Sequence, residues 1–127
     1  MATEFLFAYG TLMQGFSRHH LLLGATELVG VGTVDAQLLD LGTYPAAIPD
    51  PRSTVRGEVY RVLHAGVWTI LDSAEGPQYD RRDVAVQLGT RNLTASIYWY
   101  RGPLGHGVPI VGGDYRAHVP AQSIYRG

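Results

Sequence analysis

Phe5-Leu6-Phe7-Ala8-Tyr9-Gly10-Thr11-Leu12 sets the reading of this chain. An unbroken apolar run of this length is too short for a helix and suits a strand covered on both faces, and it delivers the chain straight into a turn at Gly10. Working outward, Val34, Ala36 and Leu38 alternate with Asp35 and Gln37 from Thr33 onward. The apolar phase then passes to Leu39 and Leu41 around Asp40, which predicts a second strand with a bulge near Leu38. Val55 to Val62 reads as a third strand, and Val84, Val86 and Leu88 mark a fourth. In a fifth, Leu93, Ala95, Ile97 and Trp99 alternate with Thr94, Ser96, Tyr98 and Tyr100, whose hydroxyl-bearing face is either solvated or lines a pocket. Two helices are expected: a short one after a capping Ser17, ending at Gly24, and one from about Ala65 to Glu75, stopped by Gly76-Pro77. Short strands with only two helices cannot supply a helix for every parallel crossover. The expected fold is therefore α+β, a small mixed β-barrel flanked by two short helices.

Composition narrows the chemistry. The 127 residues, 46% of them hydrophobic, suit one domain spanning 1–127 that can bury a core without metal or disulfide help. All ten cationic residues are arginine and there is no cysteine, which excludes thiolate nucleophiles, thiolate metal sites, Schiff bases and Walker lysines. A formal net charge of -1, without a run of like charges, carries no footprint for nucleic acid or an anionic membrane. The N-terminus has no basic region, and Phe5 to Tyr9 is too short for a signal sequence or a membrane span, so a cytosolic protein is expected. Histidines, carboxylates and hydroxyls remain for catalysis, a set suited to proton transfer.

One carboxylate sits where a surface residue should not. On a helical wheel Val67, Trp68, Ile70, Leu71 and Ala74 share about half the circumference. Glu75 projects between Leu71 and Trp68 on that apolar side, whereas Asp72 falls on the polar side with Thr69 and Ser73. Burial and the unpaired carbonyls of the helix end should both raise the Glu75 pKa, as a group that gives and takes protons near neutral pH requires. The alternative is that Glu75 leans outward at a frayed helix end and pairs with Arg81 or Arg82.

The turn at Gly10-Thr11-Leu12 offers a complementary feature, because glycine there can aim successive backbone amides at one point and so bind a carboxylate. Read alone, the turn is more simply a plain strand exit. Phe7-Ala8-Tyr9-Gly10-Thr11-Leu12 resembles the substrate loop of the gamma-glutamylcyclotransferase-like family, in its gamma-glutamylamine branch, and Leu71-Asp72-Ser73-Ala74-Glu75-Gly76 followed by Tyr79 and Arg81 resembles its catalytic segment. Leu41-Gly42-Thr43-Tyr44-Pro45, Gly57-Glu58-Val59-Tyr60 and Gly112-Gly113-Asp114-Tyr115-Arg116 are similar to further landmarks of that family, in order along nearly the whole chain. The resemblance implies a barrel fold, Glu75 as general acid/base, and a glutamyl site formed by Tyr9, Gly10, Thr11 and Leu12 with Tyr44, Tyr79 and Tyr115.

The implied reaction needs few parts. The alpha-amine of a gamma-glutamyl group can close on its own side-chain carbonyl, releasing 5-oxoproline and a free amine or amino acid, with no cofactor and no metal. Monomers or weak homodimers are expected, acting on a small gamma-glutamyl molecule. Rival readings are weaker: adjacent His19 and His20 face different ways, and His64, His106 and His118 lack metal-ligand spacing. A glycosidase pair of Asp72 and Glu75 is separated by the wheel. A non-catalytic module binding gamma-glutamyl or amino-acid ligands would keep the amide turn without needing an acid at Glu75.

Overall fold

A computed structural model of the chain describes residues 3–119. Its elements are β1 (Phe5–Ala8), a 3-10 turn (His19–Leu22), β2 (Thr26–Asp40), β3 (Pro45–Val62), α1 (Val67–Glu75), β4 (Tyr79–Leu88), β5 (Arg91–Tyr100), β6 (Val108–Pro109) and α2 (Tyr115–His118). Neighbouring strands run β3-β1-β5-β4-β2, and β2 pairs back onto β3, so the sheet closes into a barrel-like ring with β6 added at β2. The ring is mixed: β1 lies antiparallel to β3 and parallel to β5. Flanked by β3 and β5, β1 has no free edge, and burial of both its faces accounts for its unbroken apolar run. Leu6 and Phe7 are 0% and 1% exposed and meet Val34, Val55, Val59, Val86, Ile97 and Leu71 in the core. Among the described residues no helix is long and apolar enough to cross a membrane.

Several local expectations need correction. The chain after Ser17 forms only the short 3-10 turn, with Arg18 rather than Ser17 at its cap position and no side-chain cap bond. Strand β2 begins at Thr26, earlier than its alternation shows, because a register shift between Leu28 and Gly30 breaks the pattern. The bulge expected near Leu38 lies at Asp35/Ala36, where the extra residues belong to β3: Asp35 faces Thr54 but Ala36 faces Pro49. The intervening excursion closes on itself, with Asp50 Oδ1 accepting from the Arg52 amide at 2.9 Å. Leu38 and Leu39 are nevertheless both buried, and at Leu39 the edge of β2 is paired by β6.

Helix α1 is anchored at several points. Val67 and Leu71 are buried, the indole of Trp68 donates to Glu4 Oε2, and the Arg81 guanidinium lies 4.5 Å from the Trp68 ring. Asp72 accepts from Arg81 at 2.9 Å and from the Tyr98 hydroxyl at 2.7 Å, fixing the helix against β4 and β5. Ile70, expected on the buried face, is 52% exposed, so the covered stripe is narrower than the wheel implied. These ties set where the last residue of the helix, Glu75, is held.

Candidate active site

Glu75 closes α1, and Gly76, with φ at 85°, turns the chain away immediately after it. Its side chain is 14% exposed and enters a narrow cavity whose wall includes Tyr9, Gly10, Thr11, Leu12, Tyr44 and Tyr79. Residues far apart in sequence thus meet in one place. Glu75 pairs with neither Arg81, which is bound to Asp72, nor Arg82, which is bound to Asp80. Its partner is Arg18, whose Nη1 stands 3.4 Å from Glu75 Oε2.

Two carboxyls three residues apart are driven in opposite directions. Burial raises Glu75 from its ordinary value to about 7, and the Arg18 charge offsets this only in part. Hydrogen bonds from Arg81 hold Asp72 below the usual carboxylate range. Burial is the leading cause at Glu75. Burial also pushes the hydroxyls of Tyr9 and Tyr79 well up, with Glu75 adding to both. Both phenols therefore stay neutral and serve as hydrogen-bonding walls. Tyr9 donates to the Tyr98 carbonyl at 2.6 Å, and Tyr79 donates to the Pro45 carbonyl at 2.9 Å while its ring packs edge-on against Tyr44 and Tyr100.

The Gly10 turn lines the cavity. Each carbonyl of this stretch is engaged by the protein: Gly10 O by the Met13 amide at 3.0 Å, Thr11 O by the Arg18 amide at 2.9 Å, and Leu12 O by His19 Nδ1 at 2.9 Å. The amides of Gly10, Thr11 and Leu12 have no hydrogen-bond partner among the described residues. Glycine at position 10 is required by packing rather than by a left-handed backbone, because an added Cβ would lie 2.5 Å from Pro45 Cγ. An anion in the cavity would satisfy unpaired donors without any new side chain.

Tyr115 is placed elsewhere. It is buried against Phe16, ring centroids 5.3 Å apart, and does not line this cavity. Arg18 and Tyr98 line the cavity and were not anticipated. Tyr98 lies on the hydroxyl-bearing face of β5 that the alternation had left open. Nothing in the sequence around Arg18 connects it to Glu75, 57 positions away.

A stability prediction follows from the Glu75 pKa. A carboxyl with a folded-state pKa of about 7 against 4.5 unfolded favours the folded state fully below about pH 4.5, and loses that contribution as pH rises through 7. The displacement amounts to about 3 kcal/mol. Glu75→Gln removes this titration, so its stability relative to the wild-type chain should improve by that order between pH 4 and pH 8. Urea unfolding of both proteins at the two pH values checks it. A gap that does not change with pH would place the Glu75 pKa near its ordinary value.

The chain and its architecture have counterparts in known proteins. Residues 6–117 match the family model described as "Gamma-glutamyl cyclotransferase, AIG2-like". The chain is 34% identical over 113 residues to the gamma-glutamylcyclotransferase family protein YtfP of Escherichia coli K12, covering 87% of this chain and 94% of that protein. The solution structure of E. coli ytfP superposes with a TM-score of 0.65 at 32% identity, covering 87% and 95% of the two chains. The crystal structure of an AIG2-like protein from Mus musculus gives a TM-score of 0.76 at 21% identity over 94% and 92%, a likeness of fold. With the family model spanning both the Gly10 turn and Glu75, the chain belongs to the gamma-glutamyl cyclotransferase, AIG2-like family.

Proposed function

We propose that the protein is a cyclotransferase that converts a small gamma-glutamyl substrate into 5-oxoproline and a free amine or amino acid. The observation that carries this reading is a single cavity lined both by an acid of pKa about 7 and by residues whose backbone amides have no partner among the described residues. In this reading the amides of Gly10, Thr11 and Leu12 bind the substrate alpha-carboxylate. That contact folds the glutamyl chain so that the alpha-nitrogen reaches the side-chain carbonyl carbon. Attack within one molecule supplies much of the acceleration, with effective molarities of about 10⁵ M or more for well-oriented groups.

Glu75 carries the proton. As a carboxylate it takes one from the alpha-ammonium, freeing the lone pair that forms the new carbon–nitrogen bond. As an acid it returns that proton to the departing nitrogen when the original gamma-amide bond breaks, and the regenerated carboxylate then passes on the second proton shed by the ring nitrogen, so that the lactam keeps one N–H and the amine leaves as an ammonium. Both forms are accessible near pH 7. Arg18 keeps the carboxylate form available despite its burial, and the neutral Tyr9 and Tyr79, together with Tyr44, enclose the glutamyl group. The ring closure needs no cofactor.

Incubation of the purified protein with a panel of gamma-glutamyl amines and gamma-glutamyl amino acids, with 5-oxoproline as the readout, tests the proposal. Turnover of at least one member is expected. Saturable binding of members without turnover of any would overturn the enzyme in favour of a gamma-glutamyl binding module.

A further inference from the structure

Behind the Gly10 turn lies a second buried carboxylate that the proposed chemistry does not use. Glu58, on β3 directly across from Ala8, is 8% exposed and is the buried charged residue among those described. Its Oε1 accepts from the Gln14 amide at 2.8 Å and from the Tyr60 hydroxyl at 2.6 Å. Its Oε2 accepts from Arg116 Nη2 at 3.1 Å, and the same nitrogen donates to the Gln14 carbonyl at 2.6 Å. Both backbone polar groups of Gln14, an exposed residue, are thus held by this pair.

We infer that Glu58 and Arg116 are a positioning pair that clamps the 10–18 loop so that its free amides face the cavity. The inference rests on the reading of those amides as ligands for the substrate carboxylate. The loop has no regular element before His19, so its shape depends on individual bonds. The Gly10, Thr11 and Leu12 carbonyls are held back by Met13, Arg18 and His19, and Gln14 sits between those anchors. Tyr60, the other donor to Glu58, packs under His19 with ring centroids 6.0 Å apart, so the clamp touches the Leu12 anchor as well. Arg116 also spreads over Phe16 at 5.0 Å, adding a contact within the loop. A carboxylate taken out of water demands good partners on every lone pair, which makes such a cluster rigid when complete and costly when one member is lost. Gripping Gln14 at both its amide and its carbonyl fixes the peptide planes on either side of it, and through them the orientation of the Leu12 and Thr11 amides.

The test uses Arg116→Met, which keeps an apolar stem over Phe16, together with Glu58→Gln and Arg116→Lys. Hydrogen exchange of the substrate-free proteins, followed by mass spectrometry, reads the clamp without reference to activity. Exchange in peptides covering 10–18 should rise by about tenfold, the loss of one strong charge-assisted contact, while β4 and β5 stay protected and Arg116→Lys recovers part of the effect. With gamma-glutamyl substrate, KM should rise about tenfold and kcat much less. Unchanged loop exchange in a folded variant overturns the inference, as does exchange rising equally across the sheet, which marks a general stabiliser. Should Arg116→Met fail to fold, Glu58→Gln gives the same two readings. Loop exchange that responds in a protein whose wild type turns over no gamma-glutamyl compound would support the clamp and overturn the catalytic reading alone.

Discussion

Glu75→Gln should turn over gamma-glutamyl substrate about 10²- to 10⁴-fold more slowly than the wild-type chain, the range for removal of a general acid/base. The substitution preserves shape and hydrogen-bonding capacity but cannot accept and return a proton. Its neighbours in the cavity cannot take over: Tyr9 and Tyr79 are held neutral by burial, and Asp72 is turned away and kept ionised by Arg81. KM should stay within a few-fold, because the Gly10 to Leu12 amides are untouched. The wild-type pH dependence should show an essential group near pH 7 that is absent from the residual activity of the variant. Turnover by Glu75→Gln within a few-fold of wild type would leave Glu75 as a partner of Arg18 and nothing more.

The second large effect should come from Thr11→Pro, through binding. Proline removes one of the unpaired amides outright. A lost hydrogen bond to a charged group corresponds to about 1.5–3 kcal/mol, so KM should rise by about tenfold to a hundredfold. The Thr11 amide makes no bond within the described fold, and its side chain is only half-buried, so the melting temperature should change little. An unchanged KM in a protein that still melts cooperatively near the wild-type temperature would mean that the carboxylate is bound elsewhere.

What could be read in the sequence depended on whether a local pattern encodes the feature. Strand β1 was legible because burial on both faces leaves an unbroken apolar run ending at a glycine. Glu75 was legible because a helix repeats regularly enough to show one polar residue on the wrong side, although the same projection misplaced exposed Ile70. The early half of β2 was hidden by Gly30, Gly32 and a register shift, which destroy alternation while leaving the pairing to β3 intact. Closure of the ring depends on sparse pairings, Leu6 with Ser96 and Thr33 with Gln87, that no run of residues announces. Arg18 became visible only when the fold carried it to Glu75. A glycine turn at position 10 was legible, but the packing that demands glycine there, contact with Pro45, lies in another strand. Tyr115 carries a recognisable motif, yet the fold directs its ring to Phe16 instead of the cavity.

Ring closure by the substrate's own amine is the central claim, and the fate of solvent oxygen tests it most directly. Turnover of a gamma-glutamyl substrate in water enriched in oxygen-18, followed by mass spectrometry, should give 5-oxoproline and the free amine in equal amounts. No heavy oxygen should enter the lactam carbonyl, since the substrate nitrogen, not water, attacks the carbon. Release of glutamate carrying one heavy oxygen would show that water is the nucleophile, and would contradict the account.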